Sequence, residues 1–312
     1  MHKTSIIVIG ACNLDIYATS SAVLIPADSN PGLVYTTPGG VGRNIAENLA
    51  RLACNTKMLT ALGQDAFADA IIRNAESSGI DLSDALRLPH FSTSVYVCIN
   101  KPDGDIEVAV SDMDICKQIS PDYLERYSDQ LSNAALIVTE TNLTQETLNY
   151  LCSRYQDKLC IDCVSVAKSK KTLSLLDGLY CLKANRGEAA AISGMSVTTE
   201  AEARLAAEQL HRAGVQLVII TLGEDGALIS DRQQMLSMPL MPGETKNTSG
   251  CGDAFFAGAI VALSRQADLK HILRSGLAMS RLCAEACNAV SHEICPELLE
   301  KTIQNYQGGL WQ

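Results

Sequence analysis

Ala135-Leu136-Ile137-Val138-Thr139, a helical stretch over 144–155, then Lys158-Leu159-Cys160-Ile161-Asp162: this run of the 312-residue chain decides the fold. Short continuous apolar runs bounded by polar turns read as strands buried on both faces, and amphipathic stretches between them read as covering helices. The same alternation extends outward. A helix is expected near 121–131, a strand over 179–183, helices over 186–193 and 199–213, and a strand over 216–221. Strands alternating with helices imply a mostly parallel sheet covered on both sides, an α/β fold.

Upstream, Ile6–Gly10 reads as a buried first strand, Lys57–Gly63 as another, and Ala66–Ser78 as a helix. Ser94–Ile99 and Ile106–Val110 alternate on either side of Pro102-Asp103-Gly104, which predicts a hairpin. Standing apart from the βα repeats, this hairpin suits a small second sheet over the main one. Downstream, helices over 251–264 and from about 268 to 288 are strongly apolar. No linker or internal repeat interrupts the chain, so one domain over 1–312 is expected.

Composition excludes several classes. The chain is 47% hydrophobic and 19% charged, with a net charge of −10. That sign argues against a nucleic-acid polymer or an anionic membrane as partner. No apolar run reaches the roughly 18 residues of a membrane span, and Ile6–Gly10 is too short for a signal peptide. A cytoplasmic protein is expected. The twelve cysteines are scattered through apolar segments, where a thiol behaves as a small hydrophobe. Cys160 and Cys163 have the spacing of a metal or redox pair, but they lie in a strand without a second such pair, so structural thiols are the expectation.

The chemistry concentrates at strand ends and at one helix start. Ligands of open α/β sheets bind beyond the carboxyl ends of the strands. Asn13 and Asp15 follow the first strand there, placed either for hydroxyl recognition or simply as turn residues. Glu140 with Asn142, Asp162, Asn185 with Glu188, and Thr221 with Gly223 emerge along the same edge. Asn247-Thr248-Ser249-Gly250-Cys251-Gly252-Asp253 then runs straight into the apolar Ala254–Gly258. Its amides lie at a helix N-terminus, where unpartnered N–H groups and the helix dipole favour an anion. Asp253 in the first turn adds a proton acceptor beside that anion, a pairing suited to moving a phosphoryl group onto a hydroxyl.

Thr37-Pro38-Gly39-Gly40-Val41-Gly42-Arg43-Asn44, in which Asn44 is expected to open a helix, resembles the first signature of ribokinase-type (PfkB) carbohydrate and nucleoside kinases. Asn247–Gly258 resembles their second. Asn185-Arg186-Gly187-Glu188 is similar to their Asn-x-x-Glu motif, and Thr221–Gly226 to their nucleotide-contacting strand end. These landmarks stand in family order along essentially the whole chain. Ala27–Gly32 and Asp162-Cys163-Val164-Ser165 with Lys168 resemble the subgroup acting on pseudouridine.

The resemblance implies a three-layer α/β/α ribokinase-like fold with a small β-sheet lid from about 14–37 and 93–111. It implies ATP and Mg²⁺ as cofactors and a nucleoside or sugar as the small-molecule partner. Asp253 would be the general base, with the amides of Gly250, Cys251 and Gly252 on the phosphoryl oxygens. Asp15, Gly39, Gly40 and Asn44 would hold sugar hydroxyls, Ser29, Asn30 and Lys168 the base, and Glu140 the sugar or nearby waters. Asn185, Thr221, Gly223 and Gly226 would line the nucleotide groove, and Glu188 would reach Mg²⁺ through water. A homodimer through the lid is implied as well.

Two positions depart from the pattern. Cys251 stands where the family usually has Ala; it leaves the backbone donor in place but adds a thiol whose pKa a helix N-terminus lowers. Asn247 stands where Asp is common beside a monovalent-cation site, and losing that charge puts a potassium requirement in doubt. The expected reaction is phosphorylation of the 5′-hydroxyl of pseudouridine. The alternatives are the same chemistry on another ribose-like sugar or nucleoside, or a non-catalytic binder on the same scaffold.

Overall fold

The computed structural model describes residues 5–306, so the ends of the expected 1–312 domain lie outside the described residues. The strands in chain order are β1 (Ser5–Ile9), β2 (Asn13–Ser20), β3 (Gly32–Gly39), β4 (Asn55–Leu59), β5 (Ala61–Gly63), β6 (Leu86–Leu88), β7 (Val95–Asn100) and β8 (Ile106–Asp112). They continue as β9 (Leu136–Glu140), β10 (Leu159–Asp162), β11 (Cys181–Asn185), β12 (Leu217–Thr221), β13 (Ala227–Ser230) and β14 (Met235–Met238). The helices are α1 (Val41–Arg51), α2 (Ala66–Ser78), α3 (Pro121–Glu125), α4 (Ser128–Asn133), α5 (Gln145–Tyr155) and α6 (Val166–Ser169). Then come α7 (Arg186–Ser193), α8 (Glu200–Arg212), α9 (Cys251–Ser264), α10 (Leu269–Ala284) and α11 (Pro296–Asn305).

The main sheet runs β14-β13-β12-β11-β10-β9-β1-β4. From β12 to β4 every pairing is parallel; β13 and β14 add antiparallel at the far edge. The period-2 alternation of each strand divides its apolar residues between two cores. Ile6 and Val8 pack with Ile45, Ile71, Phe256 and Leu277 on one face. Ile7 and Ile9 pack with Tyr123, Leu148, Ala189 and Ala206 on the other. Helices therefore cover both faces, giving a three-layer α/β/α fold. The same alternation puts Cys160 in the first core and Cys163 in the second, on opposite faces where they cannot bind one ion.

A second sheet, β3-β2-β7-β8, stands apart. The expected hairpin is its β7–β8 edge, antiparallel from Val95↔Asp112. β2 leaves the end of β1 directly and pairs with β7 in parallel. Its inner end therefore lies at the main sheet's carboxyl edge.

α9 is apolar all round, and residues Ala254–Ala262 are buried, as a helix wholly within a core must be. It packs on α10 closely enough that a Cβ on Gly258 would stand 2.5 Å from the Ser275 carbonyl oxygen. Only hydrogen fits there.

Several boundaries differ from the sequence reading. Lys57–Gly63 splits at Thr60, because β4 pairs with β1 while β5 pairs with β6. The helix expected near 121–131 breaks into α3 and α4. α1 starts at Val41, with Gly40 as its cap at φ +100°, so Asn44 lies inside the first turn rather than opening it. The helix expected to reach about 288 stops at Ala284. The β13–β14 hairpin and α11 add to the elements that the sequence pattern marks.

Candidate active site

β1 is the topological switch of the main sheet: the chain leaves it toward β4 on one side and returns at β9 on the other. A crevice beyond the strand ends is expected at such a point, and the polar residues meet there. Asn13 donates its amide to the Asp15 carboxylate, which Tyr17 reaches with its hydroxyl at 3.4 Å. The Gly39-Gly40 turn lies flush against them. A Cβ on Gly39 would stand 2.6 Å from the Asp15 carboxyl carbon, and one on Gly40 would stand 2.7 Å from the Asn13 Oδ1. Asn13 Oδ1 is itself buried without a partner, an acceptor aimed at this turn. Burial lifts the Asp15 carboxyl to about 6, against the hydrogen bonds from Asn13 and Tyr17 that favour its ionised form.

Across the crevice α9 begins. Gly250 caps it at φ +78°, and Asp253 sits in its first turn. Asn44, 209 residues away in sequence, donates Nδ2–H to Asp253 Oδ2 at 2.8 Å. Asp253 is pushed up to about 7: burial is the largest cause and repulsion from Asp162 the next, opposed by Lys183 and by the Asn44 hydrogen bond. A carboxyl titrating near neutrality, held by one hydrogen bond, is a serviceable proton acceptor.

The amides at the helix start are not equivalent. The Cys251 N–H donates to the Thr248 carbonyl at 3.3 Å, closing the turn. The Gly252 N–H belongs to the first-turn donors that have no intrahelical acceptor. Cys251 rests its thiol on the Asn247 carbonyl at 3.6 Å. Its pKa is lowered, chiefly by a hydrogen bond with the Cys283 thiol, with burial opposing.

Sequence reasoning missed Lys183. It stands in β11 directly opposite Asp162 of β10, with Nζ 2.8 Å from Asp162 Oδ2. The available signal was a lysine inside an apolar strand, since a buried charge must have a partner.

On the other flank Asn185 and Glu188 form a capping box for α7. Glu188 accepts the Asn185 backbone N–H on Oε2 and its side-chain amide on Oε1, both at 2.8 Å. Among the described residues no three His, Cys, Asp or Glu side chains converge as a metal site. A single carboxylate beside an amide fits Mg²⁺ only if phosphate oxygens and water were to supply most of its ligands. Gly223, at φ +62°, has open space where a Cβ would go, so the loop beside Thr221 could lie against a ligand. Arg186 braces that loop, donating to the Leu222 carbonyl at 3.0 Å. Gly226 has a different reason to be glycine: its Cβ would stand 2.7 Å from the Pro239 carbonyl carbon, so packing rather than a groove requires it.

Three further candidates also have partners within the chain. Glu140 is fully buried, and its oxygens accept the amides of Ala11 at 2.7 Å and Asn142 at 2.5 Å. It braces the crevice floor, where burial lifts it to about 7. Asn30 spends its amide on Ile25 and Asp28, folding its own turn, with Ser29 exposed beside it. Lys168, in α6, is tied to the Asn142 side chain next to Glu140.

The pfkB family carbohydrate kinase model matches residues 3–293. The chain is 32% identical to the pseudouridine kinase of Escherichia coli over 260 residues, 82% of this chain and 83% of that one. It is also 32% identical to a deoxyribokinase of Salmonella typhi, over 223 residues, 70% of this chain and 71% of that one. The structure of Arabidopsis thaliana ribokinase complexed with ribose and ATP superposes with a TM-score of 0.87 at 21% identity, covering 98% of this chain and 100% of that one, a likeness of fold.

Proposed function

The chain belongs to the pfkB family of carbohydrate kinases, phosphotransferases that act on hydroxyl groups, and from that premise we propose that it transfers the γ-phosphoryl of ATP to the 5′-hydroxyl of pseudouridine. The carrying observation is the Asn44–Asp253 contact, which joins the sugar-side turn to the start of α9. Asp15, Asn13 and Asn44, with the Gly39-Gly40 backbone pressed against them, hold the ribose hydroxyls. Asp253 accepts the proton of the attacking hydroxyl as the new bond forms; a hydroxyl near pKa 15 is otherwise a poor nucleophile. The Gly250 and Gly252 amides meet charge developing on the phosphoryl oxygens, with the Cys251 amide joining them on release from Thr248. Little covalent work falls to the protein beyond this positioning and electrostatics. Asn185 and Glu188 would hold Mg²⁺ through water beside the ATP phosphates, and the ion would supply charge neutralisation there.

Identity to the E. coli enzyme over most of both chains favours pseudouridine as acceptor. Equal identity to a deoxyribokinase over a shorter stretch makes a free sugar the second reading. ATP consumption against pseudouridine, uridine, adenosine, ribose and deoxyribose decides between them. Turnover greatest with pseudouridine is expected; turnover with a free sugar alone would replace that substrate, and none with any acceptor would remove the reading.

On one face of the small sheet Val34, Val108 and Val110 are 68%, 48% and 66% exposed, apolar side chains of the kind a partner covers. A second copy seated on that face gives a homodimer through the lid. Sedimentation at twice the chain mass is expected at micromolar concentration, and a monomer throughout would refute the arrangement. Among the described residues no helix is long and apolar enough to cross a membrane. The net charge of −10 and eight buried thiols among twelve free cysteines favour a cytoplasmic location.

A further inference from the structure

We propose that Lys183 is a further catalytic residue, an ammonium that donates to the transferring phosphoryl group from beneath the Gly252 amide. The inference rests on the phosphotransferase reading and adds a side-chain cation to a cradle so far made of backbone.

Lys183 is 5% exposed. Of its three N–H donors, one goes to Asp162 at 2.8 Å, and among the described residues the other two have no acceptor. The far end of the side chain lies against the start of α9, where a Cβ on Gly252 would stand 3.0 Å from Nζ. Those donors therefore face the helix start that also presents the Gly252 N–H and Asp253. Asp162 has both oxygens engaged, Oδ2 by Lys183 and Oδ1 by the Val164 N–H at 2.8 Å. It fixes the ammonium while leaving two donors to spare.

Charge makes the same point. Burial alone would lower the Lys183 pKa, but Asp162 and then Asp253 hold the ammonium charged. A cation that stays charged in a site of low polarity is worth most where negative charge develops during transfer. A side chain at Gly252 would crowd the ammonium, which would have to give by a few tenths of an ångström.

A purely structural Lys183 would serve only to neutralise Asp162, and the two roles separate experimentally. Lys183→Met is expected to lower kcat by ~10²–10³, as loss of one oxyanion donor does, with little change in the acceptor KM. In Lys183→Met/Asp162→Asn both charges are removed, so no unpaired carboxylate remains, and the loss is expected to persist. Recovery of the double variant to the level of Asp162→Asn alone would overturn the proposal. The second readout needs no acceptor. Calorimetric affinities for ADP and for the imido analogue of ATP should differ less in the variant than in the unaltered enzyme, the preference for the analogue falling about tenfold. An unchanged preference would equally overturn it. Lys183→Gln, which keeps an N–H for Asp162, supplies the same measurement should the Met variant not fold. Silence of the unaltered enzyme toward every acceptor would instead strike the substrate reading and leave this affinity test standing.

Discussion

Asp253→Asn is expected to cut kcat by ~10²–10⁴, the contribution of a positioned general base, while ATP affinity stays near that of the unaltered enzyme. Asn keeps an oxygen for the Asn44 amide, so the contact at 2.8 Å survives and only the proton acceptor is lost. The unaltered enzyme should lose kcat/KM as pH falls through about 7, where burial and Asp162 place the Asp253 carboxyl; the residual activity of the variant should lack that limb.

Stability runs the other way. A carboxyl whose folded pKa lies above its ordinary 3.8 contributes stability that is fully present below the unfolded value and lost as pH rises through the folded one. Glu140, lifted from 4.5 to about 7, acts in the same sense. Asp253→Asn removes one such group, so its unfolding midpoint should not fall and should vary less between pH 5 and 8. Near-normal turnover in the variant would eliminate Asp253 as the base. A collapsed unfolding midpoint would show instead that the carboxylate is structural.

Gly250→Ala is expected to cost both activity and stability. At φ +78° an alanine pays roughly 1–2 kcal/mol of left-handed strain. Its Cβ would also stand 2.8 Å from the Ala289 carbonyl carbon and nearer still to the oxygen. One of the two must move, and Gly250 is the residue that aims the first amides of α9. A kcat loss of ~10² or more follows from misplacing even one such donor, with a lower unfolding midpoint. Gly104→Ala is the control. That residue has φ +93° but nothing within 4 Å of its Cβ, so it pays the strain alone and should keep full activity. Equal kcat in the two variants would show that the turn does not position the cradle.

The sequence by itself determined the architecture. Apolar strands alternating with amphipathic helices leave a covered parallel sheet as the arrangement that buries both faces. A glycine turn running into an apolar helix likewise marks an anion-binding start wherever it occurs. The tertiary structure decided which side chains meet. Asn44 and Asp253 are 209 positions apart, and no periodicity carries that distance. The backbone partners of Glu140 and Asn30 also came into view only with the fold. Lys183 looked like one charge in an apolar strand until the parallel register set it against Asp162 and beneath Gly252. Local pattern fixes which face of an element is buried, whereas the partner of a buried polar atom depends on which elements close over it.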